Sequence, residues 1–409
     1  MKRSPLALVA RAASLVALIA LAGCGGKGGE EKIVIGEYGS ITGTDATFGG
    51  STRDGVAVAW DELAASGGKI GGLNVAAITP EDDEGKAEEA ATAVQKIVNQ
   101  DQAVAVIGEV ASSRSLAAAP ICQNAGVPMI SPSSTNPKVT QAGDYIFRVC
   151  FLDDFQGWVM ANFTANNLKL KKVAILWDVK SDYSKGLKDY FATAFKGMGG
   201  TIVGDQSYSS GDQDFRAQLT ALKAKNPQAI FVPGYYTEAG LIARQARETG
   251  FKGPLLGGDG WESSKLIEIG GDAMNGCYYS NHWALDAPDS NLQHFVAEYK
   301  KKFNGSEPDA IAGLAYDATR ILFAAMNKLA TDDPKTFAGL SSKNAGTDLR
   351  KQATAKLRDE IAQTKDYPGA TGKITIDPNR NASKPAVVIE IKDGKKMFNT
   401  TTYPQNTAS

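Results

Sequence analysis

Short apolar runs alternate with amphipathic stretches from Lys32 almost to the end of the chain. Residues 33–35 (Ile, Val, Ile) read as a strand and residues 56–63 as a helix. Ala87, Ala90, Ala91, Val94, Ile97 and Val98 recur at helical spacing. Residues 104–107 predict another strand, followed by a helix through Cys122 and a strand at residues 127–130. The alternation resumes with strands at residues 173–177, 202–203, 229–232 and 255–256, each followed by a helical stretch. Repeated strand–helix–strand units imply parallel sheets with helices on both faces and right-handed crossovers.

A chain of 409 residues exceeds one ordinary domain, and the two series predict an α/β protein of two doubly wound parallel-sheet lobes. The first series ends near residues 146–150, and the second runs from a helix around Phe155 to about residue 279. Helices at residues 291–303 and 309–330 follow, which the second lobe does not need. Two strand-like runs then close the chain, residues 372–377 and 386–391, joined by a turn at Pro378 and Asn379. A chain that revisits each lobe in this way crosses between them three times. The expected partition is 32–150 and 284–369 for the N-terminal lobe, and 151–283 and 370–403 for the C-terminal lobe.

The N-terminus has a different pattern. Lys2, Arg3 and Arg11 precede an apolar run at residues 12–22, too short to span a bilayer comfortably and suited to a signal peptide over residues 1–23. Leu21, Ala22, Gly23 and Cys24 resemble the bacterial lipobox, whose Cys is lipidated and becomes the mature N-terminus. Residues 24–31 then form a small, polar tether. This predicts an exported lipoprotein, in the periplasm or on the cell surface, with a soluble body anchored to a membrane at Cys24.

Charge changes the picture by exclusion. Lys and Arg number 44 against 45 Asp and Glu, which argues against a nucleic-acid partner. Neither a G-x-S-x-G nor a P-loop motif occurs, and the G-x-G-x-x-G at residues 23–28 straddles the lipobox and precedes no helix. Two histidines, His282 and His294, stand far apart without a Cys or carboxylate array, so neither a metal nor a cofactor is expected. Cys122, Cys150 and Cys277 remain beside Cys24. Cys122 with Cys150 is the pair that would form a disulfide in an oxidising compartment, and three buried thiols are the equal alternative.

Open parallel sheets bind ligands beyond the carboxyl ends of their strands, so the loops that follow each strand carry the candidate chemistry. Ser112 and Ser113 open a helix after residues 104–107. After residues 127–130 come Ser131, Ser133, Ser134 and Thr135, and after residues 255–256 comes Asp259 among glycines. Hydroxyls and N–H groups at a helix start suit a carboxylate, and Asp259 suits an ammonium. Each charge-assisted hydrogen bond contributes about 1.5–3 kcal/mol, so a few approach the roughly 8 kcal/mol of micromolar binding. N-caps and turns would also use Ser112 and Thr135.

At these loops the sequence resembles the branched-chain amino-acid-binding proteins of ABC importers, of the type I periplasmic-binding fold. The resemblance runs from Lys32 to about Phe398. Its landmarks are Thr42 and Gly43; residues 153–157 (DDFQG) and 182–186 (DYSKG); Asp214 and Phe215; residues 233–238 (PGYYTE) and 258–261 (GDGW); residues 316–318 (YDA); and residues 371–373 (TGK). It implies that Ser112 and Thr135 hold a ligand carboxylate. The Ser133 position, beside Ser134 in the same binding loop, would offer its backbone carbonyl to the ammonium, with Asp259 as counter-ion. Tyr183 and Tyr235 would close from the second lobe, and Phe48 would wall the side-chain pocket. It also implies hinge bending around an L-amino acid, permease subunits as partners and a monomer.

Two features depart from the family. A disulfide of some relatives, between loops here occupied by Gly85 and Ala111, cannot form, and Glu109 and Arg114 flank the serine loop, where solvent exposure is expected. Amides, urea and aromatic acids are alternative ligands, though they leave Asp259 without a partner. An extracellular hydrolase would need a nucleophile and base that the sequence does not offer.

Overall fold

The computed structural model describes residues 31–77, 79–285 and 288–404. The signal peptide, Cys24 and all of the tether but Glu31 lie outside the described residues. The first sheet contains β1 (Lys32–Gly39), β2 (Lys69–Ile70), β3 (Leu73–Ala77), β4 (Glu81–Asp82), β5 (Ala105–Ile107), β6 (Met129–Ser131) and β7 (Ile146–Arg148). Its order is β2-β3-β1-β5-β6-β7, with β4 also on β1, and every pair is parallel except β2–β3.

The second sheet contains β8 (Lys172–Asp178), β9 (Thr201–Tyr208), β10 (Ala229–Phe231), β11 (Leu255–Gly257) and β12 (Cys277–Asn281). A short ribbon of β13 (Tyr367–Gly369) and β14 (Gly372–Ile374) stands apart, and β15 (Ala386–Lys392) with β16 (Lys395–Thr402) completes the second sheet. Its order is β16-β15-β12-β11-β10-β8-β9, parallel from β9 to β12 and antiparallel at β15 and β16. These are the two α/β lobes that the alternating pattern predicts.

Helix Ala46–Ala65 begins ten residues before the expected segment. Its glycine-rich first turns hide it from periodicity, but they allow close packing. A Cβ on Gly55 would stand 2.0 Å from the Ala312 carbonyl oxygen of helix Ala310–Asp332, so tertiary contact overrides weak local propensity.

The C-terminal expectation needs correction. Residues 372–377 and 386–391 do not pair with each other. Gly372–Ile374 pairs with Tyr367–Gly369, while Ala386–Lys392 pairs with β12 and β16. The turn at Pro378 and Asn379 closes a local loop, in which Arg380 N–H donates to the Asp377 carbonyl at 2.8 Å and Ile376 bridges Ala382. Ala370, Ile374, Ile376 and Ala382 pack in the core of the first sheet. The chain therefore reaches the second sheet at Ala386, rather than at residue 370. Cys150 lies in the first core and Phe151 in a core of the second sheet, and Trp283 follows β12 back into the first.

Candidate functional site

Five loops at the carboxyl ends of parallel strands converge on one small cavity. Val110 follows β5, Ser133 and Thr135 follow β6, Tyr183 follows β8, Tyr235 follows β10, and Asp259 and Gly260 follow β11; together they line about 10 Å³. Gly260 is required by proximity, since a Cβ there would meet the Gly234 carbonyl oxygen at 2.8 Å and the Tyr183 ring at 3.0 Å.

Asp259 is the best-supported group. Tyr183 OH donates to its Oδ1 at 2.9 Å, Ser133 Oγ stands 3.4 Å from Oδ2, and His282 Nε2 lies 3.0 Å from Oδ2. Its backbone N–H donates to Gln156 Oε1 at 2.7 Å. The Tyr183 and Tyr235 rings stack in parallel, centroids 5.3 Å apart. Burial pushes the Tyr183 hydroxyl well above its ordinary value, reinforced by the negative charge of Asp259, so it stays a donor. Asp153, which opens helix Asp153–Asn162, is fully buried, and its carboxyl is likewise pushed well up by burial and then by Asp259.

The remaining predicted residues stand behind this cavity. Ser112 Oγ accepts from the Asn136 N–H at 3.2 Å and ties the two hydroxyl-rich loops together. Ser134 turns away from the cavity, hydrogen-bonded to Ser115 Oγ at 2.7 Å and the Glu109 carbonyl at 2.9 Å. Phe48 is buried and meets Tyr235 and Tyr236 edge-on, with centroids 5.4 and 5.1 Å away. It backs the Tyr235 wall.

Glu109 and Arg114 do not face solvent, as the sequence suggested. Both are buried. Arg114 pairs with Asp45 through Nη2, with Glu109 through Nη1 at 3.5 Å, and with Ser40 Oγ at 2.8 Å. Burial pushes Glu109 up to about 8, and Asp83 adds to the shift. Burying the charges of Arg114 and Asp45 is tolerable only because they are paired and hydrogen-bonded. Nor does a Cys122–Cys150 disulfide form: the three described cysteines are free and buried.

Sequence reasoning missed Gln156 and His282. Gln156 bridges Asp259, Asp153 (3.1 Å) and Ser280 (2.7 Å), and its place beside Asp153 in a landmark motif was the available signal. His282 carried none beyond its position just past a strand.

A two-lobed α/β chain with a polar cleft at its strand ends has the architecture of a solute-binding protein. The Periplasmic binding protein family model matches residues 32–396, and the chain belongs to that family. It is 32% identical over 309 residues to an amino acid binding protein of Pseudomonas aeruginosa, covering 75% of this chain and 81% of the relative. A leucine-binding protein from Thermotoga maritima superposes with a TM-score of 0.82 at 37% identity, covering 91% of this chain and 99% of that one. A branched-chain amino acid transporter substrate-binding protein of Streptococcus pneumoniae, in complex with isoleucine, gives 0.81 at 32%, covering 91% and 100%.

Proposed function

We propose that this chain is the extracytoplasmic receptor of an ABC importer and clamps an L-amino acid with an aliphatic side chain between its lobes. The observation that carries this reading is Asp259, oriented by Tyr183 and facing the same cavity as Ser133 and Thr135. The ligand ammonium pairs with Asp259 and its carboxylate with the donors of the Ser133 and Thr135 loop, which Ser112 braces from behind. Phe48, Val110 and Ile311 share one apolar cluster with Tyr236 and Trp261 across the cleft, a suitable wall for a branched side chain. The two solved relatives named above are a leucine-binding protein and a protein in complex with isoleucine, which agrees with that wall. An aromatic acid would leave Asp259 without a cation.

A cavity of about 10 Å³ admits no amino acid, so the lobes part to load. The moving units are 32–150 with 284–382, and 151–283 with 386–403, hinged at three crossing segments. Cys24 carries the lipid anchor after export, and the monomer delivers its ligand to permease subunits. Calorimetry with L-leucine and L-isoleucine tests the reading: Asp259→Asn abolishes binding with the fold retained, and an unchanged affinity refutes it. A thermal-shift screen of the common amino acids ranks the ligands by mass action.

A further inference from the structure

His282 lies on the second crossing segment, just past β12, and it is 4% exposed. Its ring stacks on Phe151 of the first crossing segment, centroids 3.9 Å apart. Nε2 points at Asp259 Oδ2 over 3.0 Å, while Nδ1 is buried and has no hydrogen-bond partner among the described residues. Asp259 Oδ1 already accepts from Tyr183, so the two oxygens of one carboxylate are held by two different elements.

We propose that His282 is a positioning residue for ligand binding, whose Nε2–H donates to Asp259 and fixes that carboxylate toward the ligand ammonium. The inference rests on the amino-acid reading above. Its physical basis is the asymmetry of the ring. Asp259 can only accept while ionised, so the proton between them sits on Nε2. A second proton on Nδ1 would create a buried donor with no acceptor, which costs more than leaving a bare nitrogen there. Burial accordingly holds the imidazole below its ordinary value, against the pull of Asp259 and Glu262 and with the aid of Lys384. A neutral ring leaves the Asp259 carboxylate to pair with the ligand ammonium instead of with an imidazolium. The stack on Phe151 fixes the donor to the hinge, so the carboxylate is aimed from the crossing segments as well as from its own loop.

The test uses the purified protein with L-leucine as probe. His282→Phe keeps the stack and removes the donor, and affinity falls roughly ten- to hundredfold. His282→Gln restores a donor and recovers part of that loss. The wild-type dissociation constant stays level from pH 8 to about pH 5.5, through the ordinary imidazole range. Imidazole nitrogen NMR is simple in a chain with two histidines; after His294→Gln, the remaining ring shows the neutral Nε2–H tautomer over that pH range, with or without ligand. A protonated ring or the Nδ1–H tautomer at pH 7 overturns the proposal, as does unchanged affinity in His282→Phe while Asp259→Asn loses binding. Unchanged affinity in Asp259→Asn instead removes the counter-ion reading, and this inference with it.

Discussion

Glu262 Oε1, three residues beyond Asp259, accepts a hydrogen bond at 3.3 Å from the backbone N–H of Ala310, at the head of helix Ala310–Asp332. The loop that carries the candidate counter-ion is thereby tied to a helix packed on the other sheet. Tyr279 OH at 2.6 Å and Lys396 Nζ at 3.0 Å complete the shell of Glu262. Burial alone would raise this carboxyl, but Lys396 and the hydrogen bonds outweigh it and hold it below its ordinary value. A depressed carboxyl contributes stability above its unfolded value, and that contribution fades as pH falls through the folded one. Glu262→Gln should cost about 1–3 kcal/mol at pH 7 by urea denaturation, with the difference from wild type shrinking in acid.

A second tie across the cleft joins Ser113 and Asp182: Ser113 Oγ donates to Asp182 Oδ2 at 3.0 Å and accepts from its N–H at 2.9 Å. Neither residue lines the cavity. Ser113→Ala should weaken amino-acid binding about three- to tenfold, through loss of closed-state hydrogen bonds. Calorimetry would show the weaker affinity, and the melting temperature without ligand would move little.

Gly260→Ala should abolish detectable binding or lower affinity more than about tenfold, because the new Cβ has no room beside Gly234 and Tyr183. The Asp259 turn must then shift. Circular dichroism should show both sheets intact.

Much of this arrangement was legible because strand ends announce where side chains gather. The loops of Ser133, Thr135 and Asp259 follow apolar runs and carry polar and glycine residues, whereas Tyr183 and Tyr235 were indicated only by the family resemblance. Which hydroxyls face inward was not legible: Ser134 is as polar as Ser133, yet its Oγ closes on Ser115. The burial of Arg114 depends on Asp45, far away in sequence, and no local pattern records that pairing. Likewise β16 escaped notice because Lys395–Thr402 is a largely polar, half-exposed edge strand.

Glu37 of β1 gives a stability prediction with a definite sign. It is 6% exposed, and burial raises its carboxyl to about 8, with Arg53 lowering and Asp54 raising it further. A raised folded value favours the fold in acid, and that contribution is lost as pH climbs from the unfolded value through about 8. Glu37→Gln removes the titration. It should stabilise the protein at pH 8 by on the order of 3–4 kcal/mol relative to its effect at pH 5, as read from paired denaturation curves.

The buried thiols of Cys122 and Cys150 are pushed up to about 12 by burial, and Cys277 is shifted the same way. The thiolate is the reactive form. A thiol reagent should therefore label these three only at the rate of unfolding, and the melting temperature should be the same with and without reductant.

The second sheet borrows its last two strands from the very end of the chain, with Cys277 opposite Ile391 and Asn281 opposite Val387. During synthesis, β12 has no antiparallel neighbour until more than a hundred further residues have been made. A ribosome-bound nascent chain is thus held short of its native state until those strands have been made. Stop codons anywhere before residue 386 would leave an open sheet edge and a product fit for proteolysis.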